Sequence, residues 1–232
     1  MANVIPSPTA FQRRINNYVP GMQYAVDVNL NSPSRVPLGT PPAGVANNLL
    51  NGQSTGAGAT VDLTGNVNAQ GIVDPWGRTI QFVASLAGVA NVITIRGADY
   101  LGQPVTENVT LNGVTTVESK KAFKFVDSIT VGAPVTASQT FNAGWGTTLG
   151  LPWKVQRGAF EVANGQAVGT LGTVTNPVLN DPQTATTGDP RGTYKPTTAL
   201  NAANVISLVA DFSNDLNSSN NGGLHGIRHF NG

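Results

Sequence analysis

The stretch NVITIRGADYLGQPVTENVTLNGVTTVESKKAFKFVDSITV, Asn91–Val131, decides the fold class. Side chains on a β-strand alternate between two faces, so a half-buried strand reads as period-two alternation. Ile93 and Ile95 share one face here, with Thr94 and Arg96 on the other. Gly97 to Gly102 supplies a turn. Val105, Val109 and Leu111 then oppose Thr106, Asn108 and Thr110. Asn112-Gly113 is a strong short-range hairpin signal, because both residues tolerate positive φ. It predicts a returning strand over Val114–Val117. Phe123 with Phe125, and Ile129 with Val131, extend the pattern.

Working outward, Arg78–Leu86 alternates Ile80, Phe82, Ala84 and Leu86 on one face. Trp153–Val155, Ala159–Val162 and Asn204–Phe212 also read as strands, with Val205, Ile206, Leu208 and Val209 expected inside. Short strands with frequent turn signals predict an all-β protein, a β-sandwich or jelly-roll-like domain. The apolar period of a helix is never sustained, although Ser119–Phe125 has room for one turn. Residues 71–232 are expected to form this domain, strands from both ends of the chain pairing, with an Asn/Gly-rich C-terminal tail.

Residues 1–70 read differently. Pro6, Pro8, Pro20, Pro33, Pro37, Pro41 and Pro42 interrupt them, and only Met22–Leu30 alternates well enough for a strand. Gly39–Gly65 is rich in Gly, Ala, Thr and Asn and reads as an extended segment or long loop. The expectation is an extended N-terminal arm and loop region, ordered along a neighbouring subunit or simply disordered.

Composition narrows the chemistry. Only 11% of the 232 residues are charged, and the net charge is +1. Nucleic-acid binding draws on a basic excess that is missing, so no nucleic-acid partner is expected. The dense basic spots are Arg13-Arg14 and Lys120-Lys121 with Lys124, read as solvated faces. There is no cysteine, which removes disulfides and thiolate sites. The N-terminus lacks a signal-peptide pattern, and no run is apolar enough for a membrane span.

Catalytic constellations are weak. Asp99 in a turn and Glu107 in a strand read as capping or solvated carboxylates rather than an acid/base pair. His225 and His229 flank Gly226 in a Gly/Asn tail without an acidic neighbour, so zinc is not expected. Asp211–Gly222 carries calcium-type oxygen ligands but lacks the carboxylate that closes an EF-hand loop. No cofactor, metal or catalytic residue is assigned, and the chain is read as non-enzymatic. Asp189-Pro-Arg-Gly-Thr-Tyr194 is a turn followed by an aromatic, suited to an ordinary surface turn or to docking against a neighbour. Trp76, Trp145 and Trp153 are read as core, edge or interface residues. The candidate interface residues are Phe11, Arg13, Arg14, Tyr18, Trp145, Trp153 and Tyr194.

Two stretches, Ile93–Val131 and the region from DPRGTY at 189–194 through NNGGLHGIRHF at 220–230, resemble tailed-bacteriophage virion structural proteins. The resemblance implies a capsid cement or decoration protein, assembled in the host cytoplasm. Its partners would be the major capsid protein and copies of itself, such proteins often sitting as trimers over subunit junctions. The alternative is a tail, baseplate or fibre component that touches a host glycan. The resemblance transfers no site residues.

Overall fold

A computed structural model describes residues 34–55, 59–70, 72–132, 139–178 and 180–212. In chain order the strands are β1 (Ser34–Gly39), β2 (Val45–Ser54), β3 (Thr60–Asp62), β4 (Arg78–Ala84) and β5 (Val92–Ala98). There follow β6 (Pro104–Thr110), β7 (Val117–Glu118), β8 (Phe125–Val131), β9 (Thr140–Gly150) and β10 (Val155–Ala163). The series closes with β11 (Gln166–Ala167), β12 (Thr173–Thr175), β13 (Thr193–Lys195) and β14 (Ile206–Phe212). One short helix, α1 (Val67–Gln70), precedes β4. The described residues are all-β and sandwich-like, 50% strand and 2% helix.

Every strand pairing among the described residues is antiparallel. Three sheets result, ordered β1-β14-β10-β11, β12-β13-β9-β4-β7 with β2 also on β9, and β3-β8-β5-β6. The second and third sheets enclose the larger core. Ile80, Phe82, Phe141 and Ala143 from one meet Ile93, Ile95, Val109, Ile129 and Val131 from the other. A second core joins Val36, Leu38, Ile206, Leu208 and Ala210 of the first sheet to Leu149, Leu151 and Tyr194. β9 serves both cores, Phe141 in one and Leu149 in the other.

β9 has three glycines, and a side chain at any of them would collide with a neighbour. A Cβ at Gly144 would overlap Val45 O, one at Gly146 Thr79 Oγ1, and one at Gly150 Trp76 O. Glycine inside a strand marks close backbone approach, and here it lets β2 and the entry to β4 press onto β9.

The structure amends several sequence expectations. Residues 39–65 are partly sheet: β2 pairs with β9 and β3 with β8. Asn112 and Thr115 bridge across a turn whose middle residues are Gly113 and Val114, Gly113 at φ 54°. The chain then leaves β6, and β7 pairs instead with β4. The free edge of β6 is already taken, since Thr106 N and Asn108 N donate to Pro182 O and Ala185 O at 3.2 and 2.8 Å. Ser119–Phe125 contains no helical turn. It runs along β4, with backbone bonds from Ser119 N to Ile80 O and from Phe123 N to Arg78 O. Leu86 and Val205 are exposed, at 53% and 46%, because each lies just outside its strand.

Residues 34–39, expected within the extended arm, instead form an edge strand of the first sheet: β1 lies beside β14, with Val36 opposite Leu208. The Met22–Leu30 strand, the calcium-type tail side chains and both histidines lie outside the described residues, as do Phe11, Arg13, Arg14 and Tyr18.

Candidate functional site

The loop from Asn176 to Arg191, a strap between β12 and β13, lies against the β5–β6 hairpin and is held by buried charges. Lys121 is fully buried. Its Nζ donates to Thr106 O at 2.7 Å, Pro182 O at 2.8 Å and Thr184 O at 2.7 Å. An ammonium group has three donors, so this pin is saturated. Burial lowers the Lys121 pKa, opposed by the negative charges of Glu107, Asp189 and Asp181. Lys124 is no solvated side chain either. Its Nζ donates to Ile72 O and Asp74 O at 2.6 and 2.8 Å.

Two carboxylates complete the attachment. Glu107, buried in β6, accepts from Lys120 N at 2.6 Å and Lys121 N at 2.8 Å. Burial pushes its pKa up to about 7, against those hydrogen bonds and the nearby lysine charges. It is thus a capping carboxylate, as its place in the sequence suggested, but not a solvated one. Asp189 accepts from Ala122 N and Arg191 N at 2.9 and 2.8 Å, and burial raises its pKa.

DPRGTY is consequently an internal clasp. Arg191 Nη2 donates to Asp99 Oδ2 at 2.6 Å, and the guanidinium lies 4.8 Å from the centroid of the Tyr100 ring. Asp99 also accepts from Leu101 N and Gln103 N, which closes the β5–β6 turn. Tyr194, expected at an interface, is wholly buried. Its hydroxyl donates to Glu161 Oε2 and accepts from Gly172 N, tying two sheets together. Burial and the Glu161 carboxylate raise the tyrosine pKa.

The clasp carries an aromatic ledge. Trp76 meets Tyr100 edge to face at 5.0 Å, and its Nε1 donates to Pro37 O at 2.8 Å. Tyr100 Oη donates to Pro152 O at 3.1 Å, which places the turn against the β9–β10 connection. The residues following these two contacts are exposed: Leu101 at 47% and Trp153 at 39%. Tryptophan, tyrosine and arginine are enriched among the few residues that dominate interface energetics. Trp145 is placed elsewhere, half-buried against the larger core with its Nε1 bonded to Asn68 O at 3.2 Å. Of the sequence-derived candidates that are described, Trp153 alone is exposed, at 39%. Leu101, Tyr100 and Arg191 were missed as site residues, because the pairing of two distant turns has no local signature.

A cleft of about 420 Å³ opens between the strap and the second sheet, lined among others by Thr79, Glu118, Lys120, Thr148 and Asn176. Glu118 invites a catalytic reading, but its oxygens are engaged. Thr147 N and Thr147 Oγ1 donate to Oε1, while Thr79 Oγ1 and Thr148 Oγ1 donate to Oε2. Burial raises its pKa, yet these bonds prevail and leave it below the usual carboxylate value. Four donors fill the acceptor sites of a carboxylate, so Glu118 knits β4, β7 and β9 together. Among the described residues no three metal-ligating side chains converge, and no helix is long and apolar enough to cross a membrane.

No protein-family model matches this chain, and neither does any curated protein or solved structure.

Proposed function

We propose that this is a non-enzymatic virion structural protein of the capsid cement or decoration type, which binds the major capsid protein and copies of itself and stabilises the head. The observation that carries the reading is the inward turn of the charges. Asp74, Asp99, Glu107, Glu161, Asp189, Arg78, Lys121 and Arg191 are all buried, each holding backbone or another charge. Among the described residues the exposed face carries few charges and an aromatic ledge, a composition suited to shape-matched protein contact. The likeness of Ile93–Val131 to virion proteins supports the same reading. Many such contacts, repeated over a shell, become strong through multivalency.

The test is addition of the purified protein to capsids that lack it. Cosedimentation is expected for the wild type, and loss of at least tenfold in affinity for Leu101→Asp and Trp153→Ala, since a buried interface anchor contributes about 2 kcal/mol or more. Binding by both variants at wild-type strength refutes the ledge as the anchor. Failure of the wild type to bind any capsid refutes the cement reading.

The exposure of Trp153 favours one second reading, a tail, baseplate or fibre component whose tryptophan stacks on a host glycan. Glycan-array binding abolished by Trp153→Ala supports it. An empty array removes it.

A further inference from the structure

The described residues contain three Asn-Gly pairs, Asn51-Gly52, Asn112-Gly113 and Asn164-Gly165. Such pairs are chemically labile. The glycine nitrogen attacks the asparagine Cγ and expels ammonia, forming a five-membered succinimide. Water then opens that ring to aspartate or isoaspartate. Asparagine plus water becomes an acidic residue plus ammonia, and the position gains a negative charge. Attack needs a glycine nitrogen free to approach and an asparagine side chain free to rotate.

Each pair is restrained differently. Gly113 N donates to Val89 O at 2.9 Å, a main-chain restraint. At Asn164-Gly165 the asparagine is fixed: Asn164 Oδ1 accepts from Val205 N at 2.9 Å, and its Nδ2 donates to Asn204 Oδ1 at 3.0 Å. At Asn51-Gly52, Gly52 N donates to Asn142 Oδ1 at 2.7 Å. That guard is a single side chain from β9. Asn51 and Gly52 are themselves exposed, and a Cβ at Gly52 would meet nothing within 4 Å, so water reaches the site freely. The pair also lies where the β2–β9 register shifts, between Leu50 and Gln53, and Gly52 adopts φ 66°.

We propose that Asn51-Gly52 is a latent deamidation site held closed by the side chain of Asn142. While β2 stays seated on β9, the glycine nitrogen is occupied. When β2 lifts away, the guard is lost, and a permanent negative charge is written into the exposed bulge. The site therefore records chemically how long β2 has been released.

The test uses the full chain, incubated at mildly alkaline pH, with deamidation of each Asn-Gly pair followed by peptide mass spectrometry. A synthetic peptide of residues 49–55 is the unguarded control. Wild-type Asn51 is expected to react more slowly than the peptide. Asn142→Ala should accelerate Asn51 about two- to twelvefold, the factor by which one such hydrogen bond shifts an equilibrium. Asn142→Asp keeps an acceptor oxygen and should stay slow. The Asn112 and Asn164 rates in the same digests should not change. The proposal is overturned if Asn142→Ala leaves Asn51 at the wild-type rate or if wild-type Asn51 matches the peptide. It also fails if all three sites accelerate together, which would mark general unfolding.

Discussion

Replacing Lys121 by methionine isolates the pin that holds the strap. Methionine preserves much of the apolar stem, so what disappears is the ammonium and its bonds to Thr106 O, Pro182 O and Thr184 O. These carbonyls then lack their charged donor, and Glu107 and Asp189 lose a nearby positive charge. Removing one partner of a buried ionic arrangement costs about 3–5 kcal/mol, whereas the net worth of the intact arrangement is far smaller. Summing three charge-assisted bonds at full strength would overshoot, because in the unfolded chain the same groups bond to water. The expected loss is therefore about 3–5 kcal/mol, a large share of the roughly 5–15 kcal/mol typical of folded proteins.

Urea denaturation reads the global loss, and amide exchange reads where it falls. The amides of Thr106 and Asn108 donate to Pro182 O and Ala185 O, so they report directly whether the strap is seated. In Lys121→Met both should lose protection before the β5–β8 ladder does. Lys120→Met is the control. The Lys120 side chain is exposed, and such a change should stay within about 0.5 kcal/mol. A Lys121→Met protein within about 1 kcal/mol of the wild type, with Thr106 and Asn108 still protected, would refute the pin.

Three further perturbations test other parts of the frame. Gly144→Ala places a methyl group on Val45 O and should cost roughly 3 kcal/mol or more, seen as a lowered melting temperature. Tyr194→Phe removes the donor to Glu161 and the acceptor for Gly172 N, for an expected loss of about 1–3 kcal/mol in urea. Glu107 tests the pH response. Its folded-state pKa of about 7 stands above the ordinary 4.5, so the folded form binds the proton more tightly. The group's contribution to stability is full below the ordinary value and falls as pH rises through about 7, by roughly 3 kcal/mol in all. Subtracting the stability profile of Glu107→Gln from that of the wild type should reveal this slope, and a flat difference between pH 4.5 and 7 would contradict the assigned burial.

The strands legible in the sequence were those whose two faces meet different surroundings. Ile93, Ile95, Val105 and Val109 alternate with Thr94, Arg96, Thr106 and Asn108 because one face of the third sheet is core and the other is not. β9 escaped detection for the opposite reason. Its Phe141-Asn-Ala-Gly-Trp-Gly core lacks β-branched residues, since small residues are what its crowded position between β2 and β4 requires. β2 was missed because its burial alternates only weakly, Leu49 being its one fully buried side chain. The candidate site was hidden more deeply. Lys121 and Arg191 look like surface charges until the strap is folded over the hairpin, and nothing within a few residues of either announces a partner sixty to ninety positions away.

The same geometry bears on how the ledge would act as the proposed anchor. A turn such as Asp99–Gly102 on its own would order Leu101 only when a partner arrives, and that ordering would subtract from affinity. Here Asp99 closes the turn through two backbone amides, Arg191 supports the ring of Tyr100 from beneath, and Tyr100 reaches across to Pro152. The buried charges are costly to desolvate and add little net stability. Their consequence is positional: the strap is fixed to the hairpin, the hairpin to the β9–β10 connection, and Leu101 and Trp153 are presented already in place. If the proposed capsid binding holds, loosening the strap at Lys121 should weaken it even though Lys121 itself is buried. Loss of binding in Lys121→Met below its unfolding transition, with Trp153 intact, would separate this preorganisation from direct contact.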